Sequence, residues 1–183
     1  MKTTQSFYFG GSRDPQNINP STIAAVVAAV VASGASVHVG CQAGADQAVI
    51  KSSGVFQAGT TRPLLSVFAV AQNLNTSPRW VQWAESAGAS VTYGAGTQAA
   101  HIPARYLLRS IAAFQGCASA VFFALGSGSL AVARECIRAG LPVFAFQATP
   151  PARVPSVSGH WVGASFFGFS CWSWVAPVQI SLF

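Results

Sequence analysis

The chain has 183 residues, of which 51% are hydrophobic and only 8% are charged, a balance that argues against disorder and allows one domain with a sizeable core. Ten Lys and Arg against four Asp and Glu give a net charge of +6, and no basic tail concentrates that charge. The excess suits a partner that carries phosphate. The four cysteines form no CxxC pair and the three histidines form no cluster, so we predict neither a metal site nor a cofactor.

The first residues lack the features of a targeting segment. Residues 1–6 contain one Lys, and no long apolar run follows them, so we expect no secretory signal peptide. The apolar run at 23–32 is too short to span a bilayer. We therefore predict a cytoplasmic protein with no membrane partner.

Short apolar runs that stop at glycine or a polar loop alternate with longer segments along residues 1–147. The runs predict strands at 7–9, 35–39, 64–71, 89–93, 121–125 and 143–146. The segments between them predict helices at 23–32 (after a Ser21 N-cap), 45–53, 79–87 (Trp80, Trp83 and Ala87 on one side), 104–114, and from the glycine turn at 126–129 to Gly140. Six such alternations predict a doubly wound α/β domain, with a mostly parallel sheet and helices on both faces.

Residues 148–183 differ in composition from the rest of the chain. Prolines at 150, 151 and 155 indicate a linker, and no charged residue follows Arg153. The aromatic segment at 159–183 would be costly to leave in water, so we predict a homo-oligomer formed through it. The alternative is an arm or hairpin that folds back over the edge of its own sheet.

The most informative stretch is 120–146, AVFFALGSGSLAVARECIRAGLPVFAF. It has the order strand, glycine turn, helix and strand, with Ser127 or Ser129 as a candidate cap. Leu130, Ala133 and Ile137 are predicted to face inward, with Val132 as a further candidate. A helix that starts at the carboxyl end of a parallel strand presents unpaired N–H groups and a positive dipole, which favour an anion such as phosphate. The alternative is an ordinary strand-to-helix turn without a ligand.

Three predicted strands end in glycine turns, at 10–13, 40–44 and 126–129. Ligands of open α/β sheets bind outside the carboxyl ends of the strands, so these turns predict one shared site. The spacing matches neither GxGxxG nor GxxxxGK[ST]. The predicted phosphate-binding residues are Gly11, Ser12, Arg13, Gly40, Gly44, Asp46, Arg105, Arg109, Gly126, Ser127, Gly128 and Ser129.

The charged members of this set leave alternatives open. Arg13 is suited to bind phosphate oxygens, or it pairs with Asp14 or Asp46. Asp46 either favours the start of its helix or anchors a ribose hydroxyl or the neighbouring loop. Arg105 and Arg109 are four residues apart, so they form either a basic rim or a solvated helix face.

Four segments together resemble one known superfamily. They are GSRD at 11–14, GxxxGADQAV at 40–49, ARYLLRS at 104–110 and GSGSLAVARECIRAGLPVFAF at 126–146. In order and placement they are similar to the SMF/DprA–LOG superfamily, often called SLOG. This resemblance covers most of residues 6–147 and implies a Rossmann-like fold.

Two branches of that superfamily imply different ligands. Residues 102–105 and 127–130, followed by Ala133, look like the late motifs of the DNA-processing DprA branch, which binds single-stranded DNA. The early motifs are nearer to YspA-like proteins, which group with the LOG-type phosphoribohydrolases that handle nucleotides. Those hydrolases carry a glutamate where this chain has Val132, so we assign no catalytic residue. We predict binding of single-stranded nucleic acid, with a phosphorylated nucleotide as the alternative.

Overall fold

Eight strands form a single sheet in the computed structural model, which describes residues 5–14, 19–57 and 63–177, and their side chains except at 54–57. The strands are β1 (Ser6–Gly11), β2 (Ser36–Val39), β3 (Leu65–Phe68), β4 (Ser90–Thr92), β5 (Ser119–Phe123), β6 (Val143–Phe146), β7 (His160–Phe166) and β8 (Phe169–Val175). The helices are α1 (Pro20–Ala32), α2 (Ala45–Gln57), α3 (Arg79–Ser86), α4 (Ile102–Phe114) and α5 (Ser127–Arg138), with a 3-10 turn at Leu74–Thr76.

The strand order is β4-β3-β2-β1-β5-β6-β8-β7, and β1 to β6 pair in parallel. The chain moves outward from β1 through β2, β3 and β4, then returns to the other side of β1 as β5. The order therefore reverses between β1 and β5, which is where ligands of doubly wound sheets bind. The predicted α/β class with a mostly parallel sheet is confirmed.

Helices cover both faces of the sheet. On one face, α1 and α2 bury Ile23, Val26, Val49 and Ile50 against the sheet. On the other face, α4 and α5 bury a second cluster, which includes Ala113, Phe114, Val132, Ala133 and Cys136. All five residues of β5 are buried, as expected for a parallel strand that is covered on both sides.

Several local predictions need correction. The N-cap of α1 is Asn19, not Ser21: its side-chain oxygen accepts the Ser21 N–H at 3.0 Å, and Pro20 takes the first helical position. In α3 the buried residues are Val81 and Ala84, whereas Trp83 is 43% exposed. Trp80, on the side of the helix that also carries Trp83, packs partly buried against the cluster that contains Val81 and Ala84.

The buried face of α5 contains Ala133 and Val132, both predicted to face inward, together with Cys136. Leu130 and Ile137 are only partly buried at the margins of the same cluster.

Residues 160–175 fold as a hairpin and join the sheet through antiparallel pairing of β8 with β6. Phe167 and Gly168 form the two-residue turn, with φ of 51° and 84°, the positive values that tight hairpins need. Phe166 packs on Phe7 with ring centroids 5.6 Å apart, and Trp174 is buried in the second cluster. The hairpin alternative is confirmed, while the homo-oligomer stays a prediction.

Within the described ranges, no helix has the length and apolar character to cross a membrane.

Candidate functional site

A cleft of about 770 Å³ opens at the carboxyl ends of β1 and β5, where the strand order reverses. Its walls are the loop after β1, the first turn of α5 and the first two turns of α4. Of the twelve predicted site residues, nine line this cleft: Gly11, Ser12, Arg13, Asp46, Arg109, Gly126, Ser127, Gly128 and Ser129. Gly40, Gly44 and Arg105 do not line it.

The glycine turns after β1, β2 and β5 lie against one another. The Ser12 N–H donates to the Phe123 carbonyl at 3.1 Å, and the Ala45 N–H donates to the Ser12 carbonyl at 3.0 Å. Gly44 has φ of 89°, and a Cβ there would overlap the backbone of Arg13. Gly44 therefore acts outside the cleft, by allowing the loop that carries Arg13 to lie close to the start of α2.

The first turn of α5 presents backbone N–H groups to the cleft. Its N-cap, Gly126, has no side chain, and the Ser129 hydroxyl accepts the Gly126 N–H at 2.8 Å and donates to the Gly126 carbonyl at 3.0 Å. Apart from this Ser129 bond, no side chain in the described part of the protein is recorded as capping this turn. Ser127 and Gly128 are exposed at the cleft. The N-cap is thus Gly126, not Ser127 or Ser129, although Ser129 contributes to capping, and the turn is open to an anion at Ser127 and Gly128.

Arg13 lies exposed at the mouth of the cleft. Its guanidinium carbon is 5.4 Å from the centre of the Tyr106 ring, on α4. The Asp46 carboxylate, one of the partners considered for Arg13, makes its ion pair with Arg109 instead. Arg13 thus places a cation in the cleft that the first turn of α5 also lines.

Asp46 and Arg109 form a buried ion pair below the cleft, with Oδ2 and Nη2 3.5 Å apart and both side chains about 95% buried. The Gln42 N–H donates to Asp46 Oδ2 at 3.1 Å, and Arg109 Nη2 donates to Ser110 Oγ at 3.1 Å. Asp46 therefore anchors the neighbouring loop, which was one of its two predicted roles.

Burial shifts the pKa values of Asp46 and Arg109 in opposite directions, because it disfavours the charged form of each. Burial raises the pKa of Asp46, and the attraction of Arg109 offsets this only in part. Burial alone would lower the pKa of Arg109, but Asp46 and its other polar neighbours raise it. The Gln42 and Ser110 hydrogen bonds and the 3.5 Å separation favour the ionised pair at neutral pH. Below the cleft, burial also raises the pKa of the Tyr8 hydroxyl.

Arg105 and Arg109 do not form the predicted basic rim or solvated face. Arg109 is buried because Gly40 leaves room for it: a Cβ at Gly40 would overlap the Arg109 guanidinium and the Asp46 carboxylate. Arg105 Nε donates to the Ala99 carbonyl at 2.7 Å, which attaches α4 to the loop before it.

The cleft also has an apolar wall on α4 that the sequence did not predict. Ile102 is 62% exposed, and with Pro103, Ala104 and Leu107 it faces the cleft. The predicted helix begins at 104, whereas α4 begins at Ile102. Pro103 in the first turn was the available signal, because proline is favoured there.

Two solved structures share this fold. DNA processing protein A from Helicobacter pylori, described by its single-stranded DNA binding mode, aligns with a TM-score of 0.62 at 14% identity, over 84% of this chain and 68% of its own. DNA processing protein A from Streptococcus pneumoniae aligns with a TM-score of 0.56 at 19% identity, over 84% of this chain and 52% of its own. The chain thus spans about half of the S. pneumoniae protein. No protein-family model and no curated protein matches the sequence. The chain therefore has the Rossmann-like fold of DNA processing protein A.

Proposed function

We propose that this protein binds single-stranded nucleic acid by taking a backbone phosphate at the first turn of α5. The observation that carries the proposal is that Arg13 and the exposed residues Ser127 and Gly128, at the start of α5, line one cleft at the strand-order reversal. Backbone N–H groups, the helix dipole and a guanidinium all favour the same phosphate oxygens.

The charges around the cleft support an anionic ligand. Among the residues described, Asp46 is the carboxylate that lines the cleft, and Arg109 neutralises it. Farther along α5, Glu135 accepts from Arg134 at 2.9 Å and from Arg138 at 3.1 Å. The chain as a whole carries +6, so the field at the cleft mouth favours phosphate.

The apolar wall suits the bases of a strand whose phosphate lies at α5. Ile102 and Pro103 offer aliphatic surface without hydrogen-bond donors on their side chains, so contact with a base there would not depend on its identity. A duplex keeps its bases stacked inside, so this wall favours single strands. The single-stranded DNA binding described for the H. pylori protein, which has the same fold, supports the same choice.

We propose binding without hydrolysis. General acid–base catalysis needs a carboxylate or imidazole within reach of the bond that breaks. Asp46 is engaged by Arg109 and Gln42, and Val132 presents an apolar side chain to the cleft.

A second candidate is a pocket for one phosphorylated nucleotide. The volume of about 770 Å³ favours it, because small-molecule pockets commonly measure about 300–1,000 Å³. The same phosphate site would serve this ligand, and salt dependence separates the two candidates.

Replacing Ile102 with serine should weaken binding of a labelled oligo-dT about fivefold. The change removes apolar contact worth about 1 kcal/mol, since a base covers only part of this side chain. Fluorescence anisotropy at low salt measures the effect. An abasic strand of the same length should bind equally well to the Ile102→Ser variant and to the original protein.

Leu74→Ser is the matched control, because Leu74 is 41% exposed and lies outside the cleft. It should leave both affinities unchanged. Equal weakening of abasic and base-bearing strands by Ile102→Ser would show that bases do not contact this wall.

A further inference from the structure

β7 is the last strand of the sheet, and no strand in the described ranges pairs with its outer side. It is seven residues long and pairs with β8 without interruption from His160 to Phe166. The opposite edge strand, β4, has only three residues. The sheet therefore ends on one side in a long, regular strand.

The turn at 167–168 determines which backbone groups of β7 face outward. In a two-residue hairpin the pair that closes the turn, here Phe166 and Phe169, exchanges hydrogen bonds, and the pattern alternates along the strand. The N–H and C=O groups of Trp161, Gly163 and Ser165 therefore point away from β8, toward the open edge.

This edge lacks the features that normally prevent strands from pairing. Exposed edges are usually protected by charged side chains, prolines, bulges or short length. β7 contains no Lys, Arg, Asp, Glu or Pro, and its pairing with β8 has no bulge.

We propose that the outer edge of β7 pairs, antiparallel, with β7 of a second copy of this chain. Gly163 is the midpoint of the strand, so a two-fold axis there sets Gly163 opposite Gly163 and Trp161 opposite Ser165. This register brings about six outward N–H and C=O groups on each strand into hydrogen bonds. Apart from its neighbours in the chain, no described atom lies within 4 Å of a Cβ at Gly163, so no described side chain outside those neighbours obstructs the approach of two strands at this point.

A second copy fits this edge better than a different protein for two reasons. The interface is self-complementary, as a two-fold dimer requires. All ten Lys and Arg lie at or before Arg153, so two hairpins approach without like charges between them. One strand pair buries less surface than a standard interface, so we infer a reversible dimer that forms at high concentration.

The dimer leaves the proposed function intact. Antiparallel pairing places the two-fold axis perpendicular to the sheet, so the two clefts open at opposite ends of the joined sheets. A short oligonucleotide cannot reach both clefts, and its affinity per chain does not depend on dimerisation.

Sedimentation velocity on the full chain, at protein concentrations from about 5 µM to about 200 µM, tests the proposal. Proteins with small interfaces associate in this range. The unaltered protein should shift from monomer to dimer over this range. Gly163→Lys sets like charges opposite each other at the two-fold axis and should remain monomeric. Ser170→Lys, which adds the same charge on β8 at an exposed position, should still dimerise.

Unchanged thermal midpoint and unchanged affinity for a short oligo-dT would show that the Gly163→Lys variant is folded. If that variant does not fold, Ser165→Pro, which removes one outward N–H of β7, takes its place and should also remain monomeric. The proposal would be overturned if the unaltered protein were monomeric at every concentration. It would also be overturned if a folded edge variant dimerised with the same dissociation constant as the unaltered protein.

Discussion

Replacing Arg13 with alanine should weaken oligo-dT binding by about 1.5–3 kcal/mol, or roughly 10- to 150-fold. The variant loses the exposed cation in the cleft that the first turn of α5 also lines, where we place the phosphate. Because one phosphate contact is removed, the salt dependence of the affinity should also become shallower by about 0.7 in the log–log slope. Anisotropy titrations at several salt concentrations give both quantities.

Arg79→Ala is the matched control for this result. It removes the same charge from the chain, but Arg79 is exposed at the start of α3 and does not line the cleft. We expect it to change the affinity by less than about twofold, through net charge alone. Equal losses in the two variants would show that Arg13 acts only through the overall charge and would remove it from the site.

Asp46→Ala should lower the free energy of unfolding by about 3–5 kcal/mol, because it leaves Arg109 charged and buried without its partner. The variant also loses the hydrogen bond from the Gln42 N–H, and with it the anchor of the loop after β2. Urea denaturation followed by tryptophan fluorescence measures the change. Glu85→Ala, which removes a half-buried carboxylate bonded to the Tyr93 hydroxyl at 2.8 Å, should cost only about 1 kcal/mol.

A double variant separates the ion pair from simple loss of packing. Adding Arg109→Leu to Asp46→Ala removes the unpaired charge, so part of the lost stability should return. A double variant less stable than Asp46→Ala alone would mean that Arg109 stabilises the fold mainly through its other contacts, such as those with Ser110 and Tyr106.

Local signals in the sequence predicted much of the sheet and the glycine turns. The strand at 143–146 and the start of α2 at Ala45 were located correctly, because a proline and glycines mark their ends. The open turn at Gly126 was also expected, since apolar residues on both sides of it define a strand and a helix. These features depend on residues close together in the chain.

The parts that were mispredicted depend on contacts between distant residues. Arg109 is buried because Gly40, on the loop after β2, leaves space for it and Asp46 supplies the opposite charge. The spacing of Arg105 and Arg109 on one helix carries no information about either partner. Nor did the sequence predict which side of α3 faces the sheet; in the structure Val81 and Ala84 are buried, and Trp83 is 43% exposed.

The most direct test of strand binding is the salt dependence of the affinity for oligo-dT, compared with that for thymidine monophosphate. A strand that gives several phosphates to the protein should lose affinity steeply, with a log–log slope of about −0.7 per neutralised phosphate. We predict a slope of about −2 or steeper for the oligonucleotide, and affinity for the mononucleotide at least tenfold weaker at low salt. A mononucleotide that binds more tightly than the oligonucleotide, with a nearly flat salt dependence, would contradict strand binding and favour the nucleotide pocket.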